Sequence, residues 1–308
     1  MMSQRLSSFL RNPIWVEIMV SLQNFSRAAV AIAFFSNHAC GFIPSIPSIL
    51  ESLFEGRRAG QTSEFVLRHQ ITLEGGDAVD IEERIIMLKD VAHFLFSGRQ
   101  LSGQLHGTIE RGSYALGNRQ VIPSRSGIFR SYLFGTQPER LQDRLIREEF
   151  IYRDQLQQFK PGFVLQGDPK LWDLKGNYLR HQDIYLQRLP AGVAISVRGL
   201  NKGDMKRSLY FDKAFRGILR TEWVEGQNVI AWNYDGFVKD MSFGSFRPVR
   251  MSFEHNERKA ILTDWVSWRM LKDKQVVDLK NTLRTARSSG TSISGDAEEA
   301  LKLLLGFR

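Results

Sequence analysis

The sequence has almost no cysteine, since Cys40 is the only one in 308 residues. No disulfide can form within the chain, and zinc sites built from several cysteines are excluded. Disulfide-free chains are typical of reducing compartments. We therefore predict an intracellular location, in the cytoplasm or in the nucleoid or nucleus.

Long hydrophobic runs and metal-binding spacings are also missing. The longest apolar run, Ala28–Phe35, is much shorter than the roughly 20 residues that a membrane-spanning helix needs, so we predict no transmembrane segment. The six histidines are scattered, without the i, i+4 spacing that places two ligands on one helix face. Neither standard glycine-rich phosphate-binding loop occurs. We predict no resident cofactor from these patterns.

Acidic residues are outnumbered, with 33 Asp and Glu against 42 Lys and Arg, and the formal net charge is +9. Arginine is about twice as frequent as lysine. Its planar guanidinium suits two-pronged contacts to phosphate and stacking on bases. We therefore predict a basic, arginine-rich protein that binds nucleic acid or scaffolds an assembly on it. Its contacts would be mainly to phosphates, and the sequence leaves DNA and RNA open.

The candidate binding residues lie in the second half of the chain, where cations alternate with aromatic residues. Phosphates would contact the cations and unpaired bases would stack on the rings. An ordinary half-buried sheet would give the same alternation. The candidates are Lys206, Arg207, Lys213, Arg216, Arg220, Arg247, Arg250, Arg284 and Arg287.

The pattern of apolar residues predicts an α+β fold with a helix-containing N-terminal half. A buried strand is predicted for Ala29–Phe35, a strand for Glu64–Glu74 and helices for Asp80–Phe96 and Pro138–Phe159. In the helix predicted for Pro138–Phe159, the apolar stripe contains an acidic residue: Leu141 and Leu145 are followed on the same face by Glu148.

The C-terminal half carries short apolar runs separated by turn signals, which predicts a mainly antiparallel β-meander. A short C-terminal helix is predicted for Asp296–Leu305. The domain division that follows is a mixed α/β region at 1–160, a β-rich region at 161–281, and a basic Ser/Gly linker with the terminal helix at 282–308.

One stretch, Lys259–Lys280, places acids and a lysine at a spacing that a known chemistry requires. Strands are predicted for Ala260–Trp268 and Gln275–Asp278, so Asp264 would lie on one strand and Asp278-Leu279-Lys280 on the next. This pattern resembles the hairpin of the PD-(D/E)xK nucleases. The resemblance implies a Mg²⁺-dependent nuclease in which Asp264 and Asp278 hold the metal and Lys280 assists catalysis.

The parity of the connecting loop decides whether such a site can form. Asp278 and Lys280 share a strand face because they are two residues apart. Asp264 joins that face if the loop has an odd number of residues and points away if the number is even. An even loop would leave an ordinary surface hairpin, and no Gly or Asn fixes the turn.

A third hypothesis is a structural or effector protein. Its basic surface would then bind an acidic protein or an anionic membrane surface.

Overall fold

The structure is a computed structural model. It describes residues 44–58, 62–88, 91–110, 113–117, 120–135, 137–151, 184–190, 192–199, 205–288, 293 and 295–308. The contacts divide the chain into two compact units, Met1–Ile43 and Pro44–Arg308, and all described residues belong to the second. The strand predicted for Ala29–Phe35 lies outside the described residues.

The second unit is built on one antiparallel sheet of 13 strands, in the order β6-β5-β4-β3-β2-β1-β15-β14-β11-β10-β9-β8-β7. Two meanders meet at its centre, where β1 pairs with β15. A separate ribbon, β12 with β13, lies between β11 and β14 in the chain. The strands are β1 (Ser63–Thr72), β2 (Ala78–Leu88), β3 (Val91–Ser97), β4 (Leu105–Glu110), β5 (Ser113–Leu116), β6 (Gln120–Pro123), β7 (Ile184–Leu189), β8 (Gly192–Arg198), β9 (Met205–Asp212), β10 (Ile218–Glu225), β11 (Asn228–Asp235), β12 (Val238–Asp240), β13 (Ser245–Arg247), β14 (Arg250–His255) and β15 (Arg258–Met270).

Five described helices pack on the sheet or on one another: α1 (Ile46–Phe54), α2 (Ile128–Leu133), α3 (Pro138–Arg147), α4 (Asp273–Ser288) and α5 (Asp296–Gly306). Helix α2 lies on the face of the sheet that we call the inner face, where Phe129 packs against Trp232 and Tyr132 against Tyr234. Helix α3 contacts both α1 and α2. Helix α4 lies on the opposite, outer face, with Leu279 and Leu283 against β2 and β3.

The inner face is apolar because the strands alternate inward apolar with outward polar residues. In β1 the inward residues Phe65, Leu67 and Ile71 are buried, while Arg68 and Gln70 between them are exposed. The same alternation continues through Trp232 in β11 and Phe253 in β14, which are cross-strand partners. The core of the second unit therefore lies between this face and the helices that cover it.

A fully buried polar cluster interrupts the inner face. Glu83 of β2 accepts hydrogen bonds from the Arg308 guanidinium at 2.6 and 2.7 Å. His69 of β1 lies with Nε2 3.0 Å from Glu83 and Nδ1 2.8 Å from the Thr263 hydroxyl. The Arg308 guanidinium also stacks on the ring of Phe129 at 4.7 Å. Each charged group thus has a partner, which is the condition for tolerating it in a core.

The predicted α+β fold is wrong, because the N-terminal half contributes six strands to the sheet. The segment Asp80–Phe96, predicted to be a helix, forms most of β2 and β3. Its apolar residues Ile81 and Ile85 are four apart, and this spacing puts two residues on the same side of a helix and of a strand alike. The buried Glu83 between them hid the alternation that marks a strand.

Two further predicted elements are corrected. Helix α3 ends at Arg147, and Glu149 has a φ of 60°, so the helix does not continue through it. The predicted end at Phe159 lies outside the described residues. The segment Gln275–Asp278, predicted to be a strand, lies in α4. The Gln275 side chain accepts a hydrogen bond from the Lys272 N–H at 2.9 Å, which satisfies one of the free donors at a helix start.

Candidate functional site

The residues predicted to form a nuclease site do not form a hairpin. Asp264 lies on the outer face in β15 and accepts a hydrogen bond from Arg250 at 2.8 Å. Asp278 and Lys280 are exposed residues of α4. The described element that follows β15 is the helix α4, so loop parity has no bearing. Among the described residues, no group of three or more His, Cys, Asp or Glu side chains could hold a metal ion. The predicted Mg²⁺-dependent nuclease is therefore wrong.

Most arginines predicted to contact phosphates are bound to carboxylates. Arg220, for example, contacts Glu222 at 2.7 Å and Glu254 at 3.1 Å. Each carboxylate cancels the positive charge locally and would repel a phosphate. The pairs are Arg207–Glu149, Arg216–Asp212, Arg220–Glu222, Arg220–Glu254, Arg247–Asp240 and Arg250–Asp264.

The other predicted cations lie on β9, just after β9, and on α4. Lys206 is exposed on β9, Lys213 is exposed just after it, and Arg284 is exposed on α4, which also contains Arg287. The prediction of a nucleic-acid-binding or assembly protein is therefore wrong. The hypothesis that the same basic surface binds an acidic protein or an anionic membrane is wrong for the same reason.

A cavity of about 300 Å³ lies between the inner face and the ends of β6, α3 and α5. This volume falls at the lower end of the range found for ligand pockets. Four lining residues are apolar or aromatic and four are polar. They are Met205, Trp223, Ile230 and Phe307, and Arg125, Ser126, Glu148 and Arg207.

Strand pairing assembles the apolar wall. Trp223 of β10 lies directly opposite Ile230 of β11, and on its other side it lies opposite Arg207 of β9. All three side chains therefore face the same side of the sheet. The ring of Phe150 packs edge-on against Trp223, with centroids 5.0 Å apart. This contact holds the indole in place at the rim of the core.

The opposite wall is provided by Phe307, which follows α5. Its backbone carbonyl accepts a hydrogen bond from the Trp232 indole N–H at 2.9 Å, and its ring lies 4.6 Å from that of Phe253. Arg125 fixes the same segment, because its backbone N–H donates to the Gly306 carbonyl at 2.8 Å. The cavity is thus bounded by residues that are themselves held by the core.

Two of the charged lining residues have partners outside the cavity. Glu148 accepts a hydrogen bond from the Gly127 N–H at 2.9 Å and lies 3.8 Å from the Arg144 guanidinium. Burial raises the pKa of Glu148, against the opposing effect of the Gly127 hydrogen bond. Arg207 lies 3.1 Å from Glu149. These two pairs leave the cavity interior close to electrically neutral.

Arg125, the third charged residue of the lining, differs from Glu148 and Arg207. Its exposed guanidinium stacks on the ring of Phe307 at 4.9 Å and forms no ion pair with any residue of the described part of the chain. The cavity therefore has an apolar interior, two neutralised pairs in its wall and one cation at its mouth. Such a site can hold a molecule that is mostly apolar and carries a polar end.

Sequence reasoning identified one lining residue, Arg207, and gave it a different role. The position of Glu148 in the apolar stripe of α3 was a usable signal, because an acid in an otherwise buried stripe needs a partner or a cavity. Trp223, Ile230 and Phe307 gave no signal of their own. Their proximity depends on the pairing of β9, β10 and β11 and on the return of the C-terminal segment to the inner face.

No protein-family model matches the chain, and no curated protein matches it. Solved structures with a similar fold include a LolA-superfamily protein from Nitrosomonas europaea, at 11% identity and a TM-score of 0.40, covering 75% of this chain and 97% of that one. A domain described as an outer-membrane lipoprotein-sorting protein of Vibrio parahaemolyticus matches at 11% identity and a TM-score of 0.42. The match covers 77% of this chain and 97% of that domain. A DUF1329-family protein from Desulfovibrio piger matches at 12% identity and a TM-score of 0.41. The match covers 75% of this chain and 96% of that protein.

The predicted location in the cytoplasm, nucleoid or nucleus is not retained. In the described part of the chain, no helix combines the length and apolar character needed to cross a membrane.

Proposed function

We propose that the protein binds a small, mostly apolar molecule in the cavity walled by Trp223, Ile230, Met205 and Phe307. The observation that supports this is a cavity of about 300 Å³ at the rim of an apolar face, bounded by side chains that the core holds in place. Filling such a cavity with a ligand removes apolar surface from water, at roughly 25 cal/mol for each Å² buried. Because the walls are preformed, little conformational entropy is lost on binding.

The neutral fluorescent probe N-phenyl-1-naphthylamine tests the proposal, because its emission rises when it leaves water. We expect saturable binding, with energy transfer from Trp223 to the probe. Replacing Trp223 with Phe should reduce the transfer while the probe still binds.

A pair of substitutions on neighbouring residues locates the site. Ile230→Phe adds volume inside the cavity and should weaken probe binding at least ten-fold. Val229→Phe adds the same kind of side chain to the adjacent residue of β11, which points to the opposite face. It should leave probe binding unchanged. Saturable binding that both variants retain would contradict the proposed site, and a lack of saturable binding to the natural sequence would contradict the proposed function.

A further inference from the structure

We infer that the cavity selects molecules with an anionic end, and that Arg125 at its mouth is the residue that selects them. This inference rests on the proposed function, because it names the class of ligand for the same cavity. The class is a single-chain amphiphile whose apolar chain enters the cavity and whose carboxylate or similar anion stays at the mouth.

The charges around the cavity give the first argument. Glu148 is neutralised by Arg144 and the Gly127 N–H, and Arg207 by Glu149. Arg125 is the cavity-lining charge that contacts no carboxylate of a described residue. The lining thus carries one net positive charge, and an anionic group is its complement.

The position of Arg125 gives the second argument, because it sets the orientation of the ligand. Its guanidinium is exposed and lies over the edge of the apolar interior, on the ring of Phe307 at 4.9 Å. An anion bound there keeps most of its hydration, so the cost of burying a charge does not arise. The chain of the same molecule can lie against Trp223 and Ile230.

The stacking on Phe307 gives the third argument. The ring restricts the guanidinium to one side of the mouth, so less side-chain entropy is lost when an anion binds. The backbone N–H of Arg125 is bound to the Gly306 carbonyl at 2.8 Å, which ties the residue to the same segment as the ring. A guanidinium held in this way can form two parallel hydrogen bonds to a carboxylate.

Competition against N-phenyl-1-naphthylamine tests the inference with three ligands of equal chain length: decanoate, decanol and decyltrimethylammonium. At neutral pH and low salt we expect decanoate to bind about three- to ten-fold more tightly than decanol, the range between an exposed ion pair and a charge-assisted hydrogen bond. Decyltrimethylammonium should bind most weakly. The preference for decanoate should shrink as salt is added, because the pair is exposed.

Arg125→Gln should remove the preference for decanoate over decanol. Arg140→Gln is the matched control, since Arg140 is an exposed residue of α3 outside the cavity lining and its loss changes the net charge equally. Arg140→Gln should keep the preference for decanoate over decanol. Equal binding of decanoate and decanol to the natural sequence would overturn the inference and leave the proposed function standing. A preference that survives in Arg125→Gln would overturn the assignment to Arg125. Failure of all three ligands and of the probe would overturn the proposed function and the inference together.

Discussion

Glu83 shows at the scale of a single residue how a charge is held inside an apolar face. Its carboxylate and the Arg308 guanidinium are both fully buried, and the guanidinium contacts both carboxylate oxygens. Burial alone would raise the pKa of Glu83, but the Arg308 charge and the His69 hydrogen bond lower it below its ordinary value. Glu83 is therefore ionised at neutral pH, and its partner cannot lose its charge.

This pair leads to a prediction on stability. Glu83→Gln leaves the Arg308 charge buried without a counter-ion, and we expect the free energy of unfolding to fall by about 3–5 kcal/mol. The double variant Glu83→Leu/Arg308→Met removes both charges and should recover most of that loss. Urea unfolding followed by tryptophan fluorescence measures all three proteins.

The neighbouring residue provides the control. Glu82 points to the outer face and lies 3.4 Å from Arg68 in an exposed pair. Glu82→Gln should therefore change the free energy of unfolding by about 1 kcal/mol or less. A loss in Glu83→Gln no larger than in Glu82→Gln would mean that the buried pair does not stabilise the fold.

Because His69 is buried, we expect the free energy of unfolding to depend on pH. Burial lowers its pKa below the ordinary value of about 6.5, so the folded protein keeps the ring neutral at a pH where the unfolded chain takes up a proton. Protons then favour the unfolded state as the pH falls below about 6.5. Each pH unit below that value can cost up to about 1.4 kcal/mol, until the folded ring also takes up a proton.

A comparison of variants isolates the effect of His69 from that of the other histidines. His69→Gln should be less stable than the natural sequence at pH 7.5, because its contacts with Glu83 and Thr263 are altered. The difference in the free energy of unfolding should narrow between pH 6.5 and pH 5, since the variant lacks the titrating ring. Parallel pH profiles for the two proteins would show that His69 does not titrate differently on folding.

Among the elements, helix α4 shows how a local pattern is overruled by packing. Val276 and Val277 favour a strand by propensity, and the sequence prediction followed them. In the structure Leu279, Leu283 and Ala286 lie on one side of a helix and cover Ile86 and Leu95 of the outer face. The spacing of these three residues was visible in the sequence, but the apolar patch that they cover depends on β2 and β3 having formed.

A pair of substitutions measures this contact. Leu283 is buried, so Leu283→Ala should lower the free energy of unfolding by about 2–5 kcal/mol and weaken the protection of α4 amides from hydrogen exchange. Val277 is 58% exposed on the same helix, and Val277→Ala should change the stability by about 0.5 kcal/mol or less. Equal effects from the two substitutions would show that α4 is not packed on the sheet.

The sequence predicted the elements whose local signals agree with their environment. Strand β15 was expected at Ala260–Trp268 and is found at Arg258–Met270, and helix α5 was expected at Asp296–Leu305 and is found at Asp296–Gly306. The helix predicted for Asp80–Phe96 failed because the residue that breaks its strand pattern, Glu83, is buried by a contact with Arg308, 225 residues away. Several arginines of the predicted phosphate-binding set have acidic partners that are distant in the sequence. Arg250 meets Asp264, for example, only through the pairing of β14 with β15.

For the whole molecule, the central feature is the pairing of β1 with β15, which joins strands from both halves of the chain into one sheet. Leu67 lies at this junction, fully buried, between Glu83 of β2 and Trp265 of β15. We expect the two meanders to unfold together, because each would otherwise expose an apolar edge strand at the centre of the sheet. The boundary predicted near residue 160 would then not separate independently stable parts.

Native-state hydrogen exchange tests this with Leu67→Ala, which should lower the free energy of unfolding by about 2–5 kcal/mol. If the sheet opens as one unit, the slowest amides of β3 and of β10 should lose the same amount of protection, although neither strand touches β1. Val121→Ala is the control, because this side chain is 61% exposed on the edge strand β6. It should leave the protection of the β3 and β10 amides unchanged. Loss of protection in β3 alone would show that the meanders open separately, and it would support the division of the chain near residue 160.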